Sequence, residues 1–97
     1  METTVTTTPT VRIPDIMTSN TYFWTPSSSA SGRRSNEARR NREVTAFIEA
    51  NRAALEAAGI VIEFSYSESC HNVYKTCQIT RHGKRSNITA VRKALSM

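Results

Sequence analysis

The chain has 97 residues and a net charge of +5, with three glycines, three prolines and two cysteines. One domain fits that length, and the Thr/Ser-rich first third leaves about 75 residues to pack, too few for the deep cleft most enzymes build, so binding is expected ahead of catalysis. Two cysteines cannot make a disulfide framework, no apolar run approaches the ~20 residues of a membrane span, and the first residues lack a secretory layout. A soluble, cytoplasmic protein with no membrane partner is expected.

Charge is layered along the chain. Residues 1–32 carry −1, from Arg12 against Glu2 and Asp15, and residues 33–42 carry +4, from Arg33, Arg34, Arg39, Arg40 and Arg42 against Glu37. Residues 43–72 carry −4, and residues 73–97 carry +6 with no acid at all. Two basic blocks around an acidic middle predict a basic face rather than a uniformly basic surface.

In chain order, residues 1–20 combine threonines with Pro9, Pro14 and scattered apolar side chains, which predicts a flexible tail ahead of a single α+β domain over residues 21–97. Tyr22, Phe23 and Trp24 have high strand propensity and stop at Pro26, so a short first strand is expected. Residues 27–32 read as a loop. Ser35 or Asn36 then caps a helix that runs to Ala58 and stops at Gly59. On that helix Val44, Phe47, Ile48, Leu55 and Ala58 share one arc, with Asn51 near its centre, and this arc faces the core. Ala46, Ala50, Ala53 and Ala57 cluster on nearly the opposite side with Arg39 and Arg42. Alanine is the best helix former at exposed sites, and the same smooth strip would suit a homodimer mate.

Ile60, Ile62, Phe64 and Tyr66 alternate with Val61, Glu63, Ser65 and Ser67 and predict a strand with one buried face. After a turn at residues 69–72, Val73, Cys77 and Ile79 point inward and Tyr74, Thr76, Gln78 and Thr80 outward, giving a hairpin. Lys75 interrupts the inward set, which places that strand near an edge or lets the lysine snorkel. Residues 81–85 form a basic loop, and Ser86 caps a last helix lined by Ile88, Val91 and Leu95. The predicted order is β-α-β-β-α, a three-stranded mainly antiparallel sheet with two helices packed on one face.

The chemistry worth reading is basic. Guanidinium groups stay charged and donate in a planar fork that suits phosphate oxygens, and five of them at a helix start oppose the helix dipole, a local penalty an external anion would relieve. Arg81, Lys84, Arg85 and Ser86, ahead of the last helix, could converge on one phosphate, and Arg92 and Lys93 continue that block. Tyr74, with Trp24 nearby if the first strand joins the hairpin, could stack on unpaired bases. Cys70, His71, Cys77 and His82 lack the paired spacing of a zinc knuckle, so no metal and no cofactor are expected. His71 and His82 have no carboxylate partner in the pattern, so no catalytic residue is assigned.

Two functions fit. One is a nucleic-acid-binding module, for DNA or RNA, that grips phosphates with Arg33, Arg34, Arg39, Arg40, Arg42, Arg81, Lys84, Arg85, Ser86, Arg92 and Lys93. The other is a small protein-binding regulator or inhibitor, such as a viral or mobile-element product, that docks its basic face on an acidic surface of a larger host enzyme.

Overall fold

The computed structural model describes residues 12–20 and 24–95. Its first element, α1 (Asp15–Thr18), is a single turn that begins at Pro14, whose carbonyl accepts from the Met17 N–H at 2.9 Å. Ile16 and Met17 are 0% and 6% exposed. Residues 12–20, read from sequence as part of a flexible tail, therefore supply two core side chains, because two adjacent apolar residues on one turn suffice to dock it. The inward-facing Lys75 ends here too, its Nζ donating to the Ser19 carbonyl at 2.7 Å.

Helix α2 (Ala30–Ala50) starts earlier than the expected cap at Ser35 or Asn36. Ser29 is the cap, with its Oγ accepting from the Gly32 N–H at 3.0 Å. Gly32 lets the preceding serines fold against this first turn, since a Cβ there would lie 2.2 Å from Ser27 Oγ. The run breaks at Asn51 (φ −116°, ψ 17°) and resumes as α3 (Arg52–Ala57). Asn51 sits on the core arc and meets its polar need within the helix, its Nδ2 donating to the Phe47 carbonyl at 2.8 Å. Arg52 spans the break, donating from Nε to Glu49 at 3.2 Å and lying 3.6 Å from Glu56. Gly59, at φ +71°, closes α3.

Strand β1 (Ile60–Glu68) pairs antiparallel with β2 (Val73–Arg81), in register from Ile60 opposite Arg81 to Glu68 opposite Val73. The third strand, β3 (Lys84–Arg85), comes from the expected basic loop and pairs antiparallel with Thr80 and Arg81, giving the order β1-β2-β3. His82 (φ 52°) and Gly83 (φ 80°) make the two-residue turn, the conformation that matches the twist of a hairpin. Of the strand expected at residues 22–24, Tyr22 and Phe23 lie outside the described residues, and Trp24 is in no strand. Helix α4 (Ile88–Ala94) is capped by Asn87 rather than Ser86: Asn87 Oδ1 accepts from the Thr89 N–H at 3.0 Å. The Ser86 N–H instead prolongs the hairpin, donating to the Ile79 carbonyl at 2.8 Å.

The protein is thus a small α+β domain with a three-stranded antiparallel sheet. Ile60, Tyr66 and Ile79 stand on the sheet's inner face and cluster with Ile16, Met17, Val44, Phe47, Leu55 and Val91. The outer face is open: Val61 is 57% and Tyr74 55% exposed. Among the described residues no helix is long and apolar enough to cross a membrane.

One edge of the sheet is β1. The N–H and C=O of Tyr66 point away from β2, toward α2. Main-chain groups of an edge strand alternate direction with period two, so those of Ile62 and Phe64 point the same way, and nothing among the described residues pairs with them. A groove of about 290 Å³, lined by Ile48, Leu55, Ile60 and Ile62 with Arg52 and Glu56 at its rim, runs beside this open stretch.

Candidate nucleic-acid interface

The amino-terminal two thirds of α2 has no apolar side chain larger than alanine before Val44. Polar contacts fix its inner side instead. Asn41 pairs with both main-chain groups of Tyr66, and Glu37 accepts the Glu68 N–H at 2.8 Å. Residues four apart share a helix face, so these two set the rotation of α2 about its axis. Arg33 Nη1 donates to the Ser27 carbonyl at 3.0 Å. Arg40 lies over the Trp24 ring, 4.2 Å from its centre, and contacts Glu43 at 3.4 Å. The Nε of Arg40 is buried without a hydrogen-bond partner.

Glu68 is the buried carboxylate behind this contact, 9% exposed. Its Oε2 accepts from the Tyr66 hydroxyl at 2.5 Å, and its Oε1 accepts from the Ser27 N–H at 2.9 Å and from Asn36 at 3.5 Å. Burial pushes the carboxyl upward, but those three hydrogen bonds and the nearby Arg33 charge outweigh it and hold Glu68 below the ordinary carboxylate range. Burial first, then the hydrogen bond to Glu68 and its charge, raises the Tyr66 hydroxyl. The sequence signal for this cluster is the inward parity of β1, which runs through Ile60, Ile62, Phe64 and Tyr66 to Glu68; a carboxylate ending that series needs partners.

With the inner side anchored, Arg34, Arg39 and Arg42 are exposed. Arg39 touches Asn36 Oδ1 at 3.4 Å, and neither Arg34 nor Arg42 has a carboxylate partner among the described residues. The five arginines thus divide: Arg33 and Arg40 brace the fold, and three face outward. Their place on the helix also differs from the expectation. Because α2 begins at Ala30, Arg39, Arg40 and Arg42 lie beyond the first turn where the dipole acts, and only Arg33 and Arg34 stand near the helix start.

The second block lies elsewhere. Arg81 pairs with Ile60 at the start of β1, whereas Glu37 and Asn41 grip its far end, so Arg81 is separated from the first block by about 25 Å of strand, while Arg92 lies beside Thr18 and Lys75. Arg81, Lys84, Arg85, Arg92 and Lys93 are all exposed. The Ser86 N–H donates to the Ile79 carbonyl and the Thr89 N–H to Asn87, so these two main-chain donors are engaged within the fold. The expected stacking pair is not brought together: Trp24 is half-buried under Arg40, while Tyr74 stands on the outer sheet face.

Cys70 is exposed at the β1–β2 turn, and Cys77 is half-buried in β2; neither forms a disulfide. Burial raises the Cys77 thiol. Among the described residues no three His, Cys, Asp or Glu side chains cluster as metal ligands would. Ala46, Ala50, Ala53 and Ala57 are exposed, but the break at Asn51 divides them between α2 and α3. No protein-family model, curated protein or solved structure matches this chain.

Proposed function

We propose that this chain is a nucleic-acid-binding module that grips phosphates through the outward face of α2, with Arg81, Lys84 and Arg85 as a second contact near the other end of the sheet and Arg92 and Lys93 as further charges on the last helix. One observation carries the reading. Arg34, Arg39 and Arg42 share the solvent face of α2, while the acids beside them are engaged elsewhere, Glu37 with the main chain of β1 and Glu43 with Arg40. Fixed, uncompensated guanidinium charge on a rigid helix is what a phosphate backbone attracts.

The test is a titration of labelled DNA and RNA at several salt concentrations. With three to five phosphate contacts, log affinity should fall with log salt at a slope of about −3 to −5. Charge reversal at Arg34 and Arg39 should weaken binding to every sequence and flatten that slope. No detectable binding to any nucleic acid at low salt would sink the reading.

A second reading, a small regulator that binds a larger protein, is favoured by a different observation, the unpaired main chain of Ile62 and Phe64 beside an apolar groove. An extended segment of a partner could add there as a further strand. A stoichiometric protein captured from nuclease-treated lysate, and lost when Ile62 is replaced by proline, would favour it over the first.

A further inference from the structure

We infer that the nucleic acid taken by α2 is B-form double-stranded DNA, entered through its major groove, with Arg34 and Arg39 on the two phosphate backbones and Arg42 at the base edges. This rests on the reading above that the α2 face binds nucleic acid.

Successive residues of an α-helix are rotated by about 100°, so the exposed residues of α2 before Glu49, Glu43 apart, occupy one half of its circumference. Arg42 lies near the middle of that half. Arg34 lies about 80° to one side of it and Arg39 about 60° to the other. The remaining side chains on this half, from Ser31 through Ser35, Ala38 and Thr45 to Ala46, are small, and the exposed Glu43, about 40° beyond Arg39, is paired with Arg40 at 3.4 Å. A helix is about 10–12 Å wide with its side chains and the B-DNA major groove about 12 Å, so a helix dressed with Ala, Ser and Thr enters with clearance while only its arginines reach the walls and floor. Arginines on opposite flanks meet opposite backbones. The one between them meets the groove floor, where a guanidinium fork pairs with N7 and O6 of guanine.

The same features disfavour other nucleic acids. Single strands are held by stacking on aromatic side chains, and this half of α2 has none, Trp24 being on the inner side under Arg40. A-form RNA has a major groove too deep and narrow for side chains to read. Glu49 limits the insertion: it lies on the exposed half about 10 Å beyond Arg42 and would repel phosphate, so the amino-terminal two thirds of the helix is the part that enters.

The experiment measures binding of the full chain, at low salt, to four labelled probes of one mixed sequence: duplex DNA, duplex RNA and the two single DNA strands. Duplex DNA is expected to bind at least about tenfold tighter than the others. R34A and R39A should weaken all duplex sequences alike and each reduce the salt slope by about one, whereas R42A should lose about tenfold to a hundredfold on its preferred site and flatten sequence preference. Replacing guanine by 7-deazaguanine, which removes the major-groove N7, should mimic R42A; replacing guanine by inosine, which removes the minor-groove amino group, should have no effect. All three arginines are exposed, and unchanged thermal melts of the variants confirm that binding alone is altered. Equal or tighter binding to RNA or a single strand, or indifference to 7-deazaguanine, overturns the inference while leaving the proposed function standing. Failure to bind all four probes overturns both.

Discussion

Asn41 of α2 makes two hydrogen bonds with one residue of β1: its Oδ1 accepts from the Tyr66 N–H at 3.1 Å, and its Nδ2 donates to the Tyr66 carbonyl at 3.0 Å. The side chain stands where a neighbouring strand would, and with Glu37 it seals the end of an edge whose Ile62 and Phe64 main-chain groups have no partner among the described residues. Its Nδ2 also reaches the Glu37 carbonyl at 2.7 Å.

Replacing Asn41 should therefore expose its importance to the helix–sheet junction. Asn41→Ala leaves a half-buried N–H and C=O unpaired and should destabilise the protein by about 1–3 kcal/mol in urea unfolding. Asn41→Asp keeps the acceptor and loses the donor, so exchange of the Tyr66 amide should remain slower than in the alanine variant. Equal exchange in the two variants would contradict the pairing.

The buried carboxylate predicts an acid-sensitive fold. Glu68 is held below its unfolded value, so the unfolded state takes up its proton first as pH falls. The stabilisation is complete above the unfolded carboxylate pKa and is lost as pH drops through the lower folded one. In denaturant titrations from neutral to strongly acid pH, the wild-type midpoint should fall over that window, and Glu68→Gln should be less stable at neutral pH with a shallower acid dependence. Parallel profiles would place the acid sensitivity in another group.

Arginines thirteen and eleven positions into the same helix should behave oppositely. Arg40→Ala removes the contact over Trp24 and should lower stability by about 1 kcal/mol while shifting tryptophan emission. Arg42→Ala should change neither melting temperature nor emission and should act only on binding. A stability loss at Arg42 equal to that at Arg40 would mean that the outward arginines also brace the fold.

Gly59 should tolerate no side chain. Its φ of +71° is costly for other residues, and a Cβ there would lie 2.3 Å from the His82 ring. Gly59→Ala should lose at least about 1 kcal/mol. Adding His82→Ala should recover the steric part and leave the backbone part, so a double-mutant cycle should show partial rescue.

The helical stretch from Val44, the β1–β2 hairpin and the last helix are legible because their apolar residues repeat at 3.6 or 2 positions, whereas the break at Asn51, which lies on the core arc, leaves no mark in that repeat. Residues 30–43 carry no such repeat. Their anchors are Asn36, Glu37, Arg40 and Asn41, whose value depends on partners in β1 and at Trp24 that periodicity does not reveal, so the first residues of α2 look like loop in the sequence. The third strand escaped for a related reason: Lys84 and Arg85 are too few to alternate, while the aromatic run ending at Trp24 advertised strand propensity. The arginine blocks could be read as charge. Which arginines point outward could not, because Glu37 and Asn41 set the helix rotation, and Glu68 organises that contact from the far end of β1.

The bare main chain of Ile62 and Phe64 has a consequence for the protein in concentrated solution. It lies within the run Ile-Val-Ile-Glu-Phe, the stretch of β1 richest in β-branched and aromatic residues, and Glu63 is its one charge. Such a segment can template the growth of ordered aggregates, and a central carboxylate is how a chain keeps copies apart. Glu63 therefore acts as a gatekeeper: neutralising it should leave the folded domain intact yet lower the concentration at which the protein stays in solution.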